Sequence, residues 1–292
     1  MRVVKKDRTF ERPEVIALGL GARPAHRRAA HQMLGSALRQ AKPGGLVGRV
    51  ASGAAGGPGP VAPAPPDAPK KRARASLNAG ISPPTDAVLN RFSQLYLDAL
   101  RGADVMTLPY YESWSEWLAE AKAIVPAQTP WFSYDILRHP FSEDDPAEHW
   151  VRGLDDRRVG IVSPLRFSIA RQLDRLDRVY AAMREARPRW ASVAIVQSPL
   201  TQWNSEAGGA ARPSKTWVDH FERLCGELAD RREEYDTCLL GCGGYGMPLA
   251  HFLKAELRKT AVVVGGSLQL LFGIRGNRWD RRPQVAGFLN DA

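Results

Sequence analysis

The chain has little cysteine, no long apolar run and no histidine-rich cluster, and each absence excludes a class of protein. Its 292 residues include only three cysteines, Cys225, Cys238 and Cys242. An odd number without Cys-x-x-Cys spacing indicates no zinc site, so we predict packing thiols in a reduced compartment. No apolar run approaches the roughly 20 residues that a membrane-spanning helix needs. Because the first residues also lack the apolar core of a secretory signal, we expect a cytoplasmic protein without a transmembrane segment.

The net charge of +10 is concentrated in the leading segment. Residues 1–75 contain fifteen Lys or Arg and four Asp or Glu, whereas residues 76–292 contain 26 and 27. The body is therefore nearly neutral, and we expect no nucleic-acid partner, because such a partner needs basic residues clustered on a folded face. Residues 43–75 are rich in Pro, Gly and Ala, which predicts a largely disordered segment over 1–75. A tether or an anionic-surface contact is the alternative to a plain solvated linker.

From residue 76 onward, short apolar segments alternate with amphipathic ones. We predict strands over 103–108, 131–136, 158–162, 193–196, 237–240 and 260–264. We predict helices after Thr85 and around Trp117, and over 167–183, 215–232 and 246–254. Such alternation is typical of an α/β fold, here Rossmann-like, with a mostly parallel sheet flanked by helices. We therefore divide the chain into the segment 1–75, an α/β domain over 76–281 and a tail over 282–292.

The segment from Thr237 to Lys254 predicts a buried strand, a glycine turn and an amphipathic helix. Its letters Gly241-Cys-Gly243-Gly-Tyr-Gly246 fit the G-x-G-x-x-G pattern of dinucleotide-binding turns. A nicotinamide or flavin binder places a carboxylate on the ribose about 20 positions later. About 20 positions after the glycine turn, this chain has the strand 260–264 and then Gly265-Gly266-Ser267. None of these residues is a carboxylate. We therefore expect no NAD and predict another anionic ligand, with tight packing as the alternative reason for the glycines.

The turns after parallel strands share the carboxyl edge of a sheet, where α/β proteins bind ligands. Glycines let the backbone approach a phosphate, amides at a helix start attract anions, and an arginine can bind phosphate with two hydrogen bonds. The predicted substrate-binding residues are Ser163, Arg166, Gln197, Gly241, Gly243, Gly244, Gly246, Gly265, Gly266 and Ser267. No catalytic residue is assigned. The histidines show no metal or triad spacing, and neither Ser163 nor Ser198 lies in a Gly-x-Ser-x-Gly elbow.

Two glycine-containing stretches carry a resemblance to a known family. They are Tyr235-Asp-Thr-Cys-Leu-Leu-Gly-Cys-Gly-Gly-Tyr-Gly-Met-Pro-Leu-Ala and Gly265-Gly-Ser-Leu-Gln-Leu-Leu-Phe-Gly-Ile-Arg-Gly-Asn-Arg-Trp279, and residues 78–85 and 162–172 fit the same pattern. The chain resembles bacterial proteins with a GT-D fold-like domain, relatives of the GT-D-type glycosyltransferases of surface-polysaccharide gene clusters. The resemblance covers about residues 76–281. It implies a nucleotide-binding fold, a sugar-nucleotide donor, a glycan or lipid-linked acceptor, and a divalent metal (Mn or Mg).

The acidic signature of that family has no counterpart in its expected place. GT-D-type transferases carry a Gly-x-Gly-Glu-like motif near the start of the domain and an Asp-x-Glu metal motif. Upstream of Asn78 this chain has only four carboxylates, Asp7, Glu11, Glu14 and Asp67, none in such a setting. The departure predicts lost activity or a disturbed reading frame in the N-terminal region. Three alternatives therefore stay open: a glycosyltransferase, an inactive nucleotide-sugar-binding accessory module, and a Rossmann-type methyltransferase or dehydrogenase.

Overall fold

The computed structural model describes residues 79–108, 115–133, 137, 149–200 and 215–276. The predicted disordered segment 1–75 and the tail 282–292 lie outside the described residues. Within the described ranges the chain forms two parallel sheets with helices packed around them. The α/β prediction with parallel strands is therefore confirmed. None of the helices in these ranges combines the length and the apolar character needed to cross a membrane.

The first described helix and a small sheet precede the main sheet. Helix α1 (Asp86–Arg101) begins where predicted, because the Thr85 hydroxyl accepts a hydrogen bond from the Val88 amide at 3.4 Å and caps the first turn. Strand β1 (Met106–Leu108), helix α2 (Ser115–Ile124) and strand β2 (Trp131–Ser133) follow. β1 and β2 pair in parallel, with Met106 opposite Trp131.

The main sheet has four parallel strands in the order β4-β3-β5-β6. They are β3 (Arg158–Ser163), β4 (Ser192–Gln197), β5 (Thr237–Leu240) and β6 (Thr260–Val263). Central strand β3 pairs with β4 along its whole length and with β5 from Val159 to Val162. The chain therefore moves from β3 outward to β4, returns to the other side of β3 to form β5, and continues to β6.

Helices connect these strands and cover both faces of the sheet. They are α3 (Arg166–Leu173), α4 (Leu176–Val179), α5 (Trp217–Asp230), α6 (Gly246–Ala255) and α7 (Leu268–Leu271). One core cluster joins Val159, Ile161 and Leu239 of the strands to α3, α4 and α7. The other joins Val162, Cys238 and Leu240 to α1, α5 and α6. Alternate strand residues thus point to opposite faces, as a pleated sheet buried on both sides requires.

The predicted long helix over 167–183 is broken. It ends at Leu173 and resumes at Leu176, because the intervening turn is tightened by hydrogen bonds from the Arg175 amide to the Gln172 carbonyl and from the Arg178 amide to the Arg175 carbonyl. Asp174 and Arg175 are both exposed, so no buried contact holds this turn in α geometry. The prediction of one continuous helix was wrong for this reason.

Candidate ligand site at the carboxyl edge

The strand order creates one position where the direction of winding reverses. The connection that leaves β3 runs to β4 on one side, whereas the next connection returns to β5 on the other side. Loops at such a reversal lead away from each other and leave a crevice at the carboxyl ends of the two strands, where α/β sheets bind ligands. In this chain the crevice lies between the turn after Ser163 and the turn that begins at Gly241.

The two glycine turns after β5 and β6 lie side by side. A Cβ atom at Gly241 would stand 2.9 Å from the Leu268 Cβ and 3.0 Å from the Gly265 carbonyl oxygen. Only glycine fits here without a shift of its neighbours, because real Cβ atoms essentially never approach another Cβ atom as closely as 2.9 Å. The Gly241–Gly246 turn and the Gly265–Ser267 turn therefore share one edge of the sheet, as the strand pattern predicted.

Positive backbone φ angles open both turns. Gly243 has φ +60° and Gly265 has φ +61°, in the left-handed region that favours glycine. Gly243 begins a short 3-10 turn that leads directly into α6, a helix of ten residues. The amide of Gly243 has no preceding helical turn to accept its hydrogen bond, and such an amide at a helix start attracts a negatively charged group. Gly243 is exposed to solvent at this position.

The remaining glycines of the first turn have packing roles. A Cβ atom at Gly246 would lie 3.0 Å from the Val263 Cγ1, so this glycine permits close contact between α6 and β6. A Cβ atom at Gly244 would lie 2.6 Å from the Ala79 carbonyl oxygen, which shows that residues 79–81 pass directly over the turn. The sequence did not predict this contact, because no local pattern relates positions so far apart in the chain.

A buried aromatic stack supports the glycine turn from below. Tyr245 is 1% exposed, and its ring lies parallel to Trp217 of α5 at 5.2 Å between centroids. Trp217 also stacks on Phe221 at 5.4 Å. Because the turn is fixed to α5 by this stack, the Gly243 and Gly244 amides have a defined position at the edge.

The turns after β3 and β4 form the other wall of the crevice. The Ser163 hydroxyl is buried and accepts a hydrogen bond from the Leu165 amide at 3.2 Å. The Gln197 side-chain amide donates to the Pro164 carbonyl at 2.9 Å. These bonds join the two turns. They also show that Ser163 and the Gln197 Nε2 are engaged within the protein.

Two polar atoms of this wall keep unused hydrogen-bonding capacity. The Gln197 Oε1 and the Ser198 Oγ are buried and have no hydrogen-bond partner among the described residues. A buried unsatisfied polar atom is costly, so such atoms are candidates for contact with a ligand. Sequence reasoning listed Gln197 but not Ser198, because only the fold shows that this hydroxyl is enclosed.

The other predicted residues complete the edge. Arg166 is the first residue of α3; it is exposed and has no carboxylate partner within the described ranges. Gly266 is partly exposed, whereas Ser267 is fully buried. The structure therefore brings the ten predicted residues to one edge, with Ser163, Arg166 and Gln197 on one side and the glycine turns on the other.

The electrostatic character of this edge suits an anion. The turns 163–166, 197–200, 241–246 and 264–267 contain Arg166 and no aspartate or glutamate. Burial raises the pKa of the Cys242 thiol to about 12, so at neutral pH this residue of the turn is an uncharged thiol rather than a nucleophilic thiolate. The groups in these described turns that could contact a ligand are hydroxyl, amide and guanidinium groups.

These groups do not fit a divalent cation. Mg²⁺ and Mn²⁺ prefer carboxylate oxygens, which the four turns lack. In the ranges that the structure describes, no three His, Cys, Asp or Glu side chains are grouped so that they could hold a metal ion. We therefore derive no metal-dependent step, and the divalent metal implied by the family resemblance stays a prediction.

A concavity also lies away from this edge. A cavity of about 350 Å³ occurs near the amino end of β4 and the end of α3, lined by Leu173, Leu176, Arg187, Pro188, Arg189, Trp190 and Val193. The carboxyl-edge crevice is assigned from the sheet topology and the geometry of the turns.

Comparison with known proteins adds no relative to this description. No protein-family model matches the chain, and no curated protein or solved structure matches it.

Proposed function

We propose that the chain binds a sugar nucleotide in the crevice between β3 and β5 and acts as a glycosyltransferase-like protein of polysaccharide biosynthesis in the cytoplasm. The observation that carries the proposal is the position of the Gly243 turn. It opens a ten-residue helix beside the point where the winding of a Rossmann-like sheet reverses. A diphosphate is the anionic group that best fits main-chain amides at such a site.

The chemistry assigned to this edge is positioning and charge stabilisation. In glycosyl transfer, the bond between the anomeric carbon and the diphosphate oxygen breaks while an acceptor hydroxyl forms the new bond to carbon. The leaving diphosphate takes the electron pair, and the amide of Gly243 together with Arg166 would stabilise its charge. The acceptor would be a glycan or a lipid-linked sugar, whose hydroxyl proton passes to a base that we do not assign.

A second candidate is a binding module that holds a sugar nucleotide without transferring it. This alternative is favoured by the absence of any carboxylate from the four described turns, since a general base or a metal ligand would be an acidic side chain. A methyltransferase or dehydrogenase is less favoured, because no acid follows β6 to bind a ribose.

Arg166 offers a matched test of the site. We expect Arg166→Gln to weaken binding of UDP-, GDP- or CMP-sugars by about 10- to 100-fold, the range of a charge-assisted hydrogen bond. Arg171→Gln removes the same charge from the same helix and should leave affinity within about twofold. Binding is measured by titration calorimetry with and without Mn²⁺, and turnover by release of the nucleoside diphosphate.

The results separate the candidates. Donor turnover supports a transferase, binding without turnover supports the accessory module, and selective binding of NAD or S-adenosylmethionine supports the third alternative. A second variant tests the turn itself: Gly243→Asn keeps a residue that tolerates positive φ but adds a side chain beside the amides. Unchanged affinity in both Arg166→Gln and Gly243→Asn would remove this edge from consideration.

A further inference from the structure

The outward side of α3 and α4 carries a stripe of arginines that ends in an exposed aromatic ring. Phe167 and Arg171 lie one turn apart on α3, Arg175 lies in the turn between the two helices, and Arg178 lies on α4. All four are exposed. The opposite side of this segment is buried in the core, through Ile169, Gln172, Leu176, Val179 and Tyr180. We call the exposed residues Arg171, Arg175 and Arg178 the arginine stripe, and Phe167 lies at its end.

The charge around the stripe is strongly one-sided. Residues 166–189 contain seven arginines and three carboxylates, a balance of +4, within a body of 76–292 whose balance is −1. Asp177 is paired with Arg187 at 3.0 Å, which leaves Asp174 as the acid beside the stripe. Arg171, Arg175 and Arg178 have no carboxylate within ion-pair distance in the described part of the chain. Their charges are therefore free to attract an anionic surface.

Two large apolar side chains protrude at the carboxyl-edge end of this surface. Phe167 is 77% exposed and Leu200 is 73% exposed. They belong to the same end of the molecule, because the turns that precede them are joined by the hydrogen bonds from Gln197 to Pro164 and from the Ser198 amide to the Ser163 carbonyl at 3.2 Å. Exposed apolar side chains next to unpaired arginines are typical of a surface that contacts lipid headgroups and the first part of the acyl chains.

We propose that the arginine stripe, with Phe167 and Leu200 at its end, docks the protein onto an anionic lipid bilayer. The arginines would contact lipid phosphates, and the two apolar side chains would enter the headgroup boundary. A nucleic acid would engage the arginines but gives no apolar environment to an aliphatic leucine, so the combination favours lipid. This docking surface adjoins the wall of the crevice, because Leu200 belongs to the turn 197–200, but it does not depend on the crevice's ligand.

The cavity near the amino end of β4 extends the same surface. Arg187 and Arg189 line it together with the apolar side chains Leu173 and Leu176. Arg189 in this lining could pair with an anionic headgroup. The surface thus has arginines along its length, apolar side chains at one end and a recess at the other.

Vesicle co-sedimentation of the full chain tests the proposal. The protein is mixed with neutral phosphatidylcholine vesicles or with vesicles that also contain phosphatidylglycerol, at low and high salt. We expect binding to the anionic vesicles only, and weaker binding at high salt. Each arginine near an anionic surface contributes about fivefold to partitioning, so Arg171→Gln, Arg175→Gln and Arg178→Gln together should reduce it by roughly 100-fold.

A charge-matched control separates this surface from the basic segment 1–75. Arg91→Gln, Arg101→Gln and Arg232→Gln remove three exposed charges elsewhere and keep residues 1–75 unchanged, so partitioning should fall less than about fivefold. Hydrogen exchange should also show vesicle-dependent protection of residues 166–182 in the parent chain. Phe167→Ser with Leu200→Ser should remove the binding that persists at high salt.

Three outcomes would overturn the proposal. Equal losses in the two triple variants would place the contact elsewhere, and so would protection of other described segments instead of 166–182. Preferential binding of a duplex DNA or RNA probe that the stripe variant abolishes would assign the surface to nucleic acid. Circular dichroism of each variant confirms that the fold is retained, so a loss of binding is read as a loss of the surface.

Discussion

At the scale of single residues, glycines in this chain have different roles that their letters do not reveal. Gly241 and Gly246 permit close packing, Gly243 and Gly265 adopt positive φ, and Gly244 lies under residues 79–81. The G-x-G-x-x-G pattern thus predicted the turn between a strand and a helix. It did not indicate which of its glycines could contact a ligand.

Gly160 in the middle of β3 provides a residue-scale prediction. A Cβ atom there would lie 2.6 Å from the Cys238 Sγ and 3.1 Å from the Tyr235 ring. Gly160→Ala should therefore lower the free energy of unfolding by about 1 to 3 kcal/mol, the cost of overpacking a core. Equilibrium unfolding in urea measures the change.

Gly226 in α5 is the matched control for Gly160. It lies within a helix, is exposed, and a Cβ atom there would meet no other atom within 4 Å. Gly226→Ala should raise stability by up to about 1 kcal/mol because alanine favours helix. If both substitutions shift stability in the same direction, the proposed crowding at Gly160 is incorrect.

At the scale of elements, β3 and β5 are joined at their amino ends by a pair of charges that no local pattern indicated. The Arg158 Nη2 lies 2.6 Å from the Asp236 Oδ1, and the Arg158 Nε lies 3.1 Å from the Oδ2. This bidentate contact holds the amino ends of the two adjacent strands together. Hydrogen bonds from Arg158 hold the pKa of the Asp236 carboxyl below its usual range.

The depressed pKa of Asp236 gives stability a defined pH dependence. The unfolded carboxyl has a pKa of about 3.9, so the pair stabilises the fold fully above about pH 5. That contribution is lost as pH falls through the lower pKa of the folded state. Asp236→Asn should cost roughly 1 kcal/mol at neutral pH, because Arg158 is partly exposed, and little at strongly acid pH.

Urea unfolding of Asp236→Asn between neutral and acid pH checks this expectation. Asp177→Asn is the comparison, since Asp177 is 80% exposed in its pair with Arg187 and should have almost no effect. A penalty for Asp236→Asn that stays constant with pH would show that the ion pair is not its cause.

At the scale of the whole molecule, the doubly covered sheet encloses the thiols. Cys238 and Cys242 are buried and Cys225 is partly buried, and none forms a disulfide. Burial raises the pKa of Cys242 to about 12, and burial together with the nearby Glu222 raises the pKa of Cys225 to about 12. The packing-thiol prediction is consistent with these positions.

A labelling experiment reports on the integrity of the whole fold. At neutral pH we expect the native chain to react slowly with a thiol reagent, because Cys238 and Cys242 are enclosed and the partly buried Cys225 remains protonated. After unfolding in guanidinium, all three should react rapidly. Fast reaction of Cys238 or Cys242 in the native chain would contradict the packing of β5 between the two core clusters.

The sequence by itself determined the elements, because strand alternation, helix spacing and capping are local. The helix after Thr85, the four strands of the main sheet and the glycine turn were all predicted within a few residues of their observed bounds. The break after Leu173 was not predicted, since the Arg and Asp pattern continues through it. The order β4-β3-β5-β6, which locates the crevice, was not predicted either.

Only the tertiary structure decided which residues meet across the chain. The passage of residues 79–81 over Gly244, the Arg158–Asp236 pair and the enclosed Ser198 hydroxyl all join positions distant in sequence. Their contacts depend on which strands pair and which side each crossover takes. Local periodicity does not specify the strand order or the side of each crossover. The same helices and strands could be arranged in another order with the same local preferences.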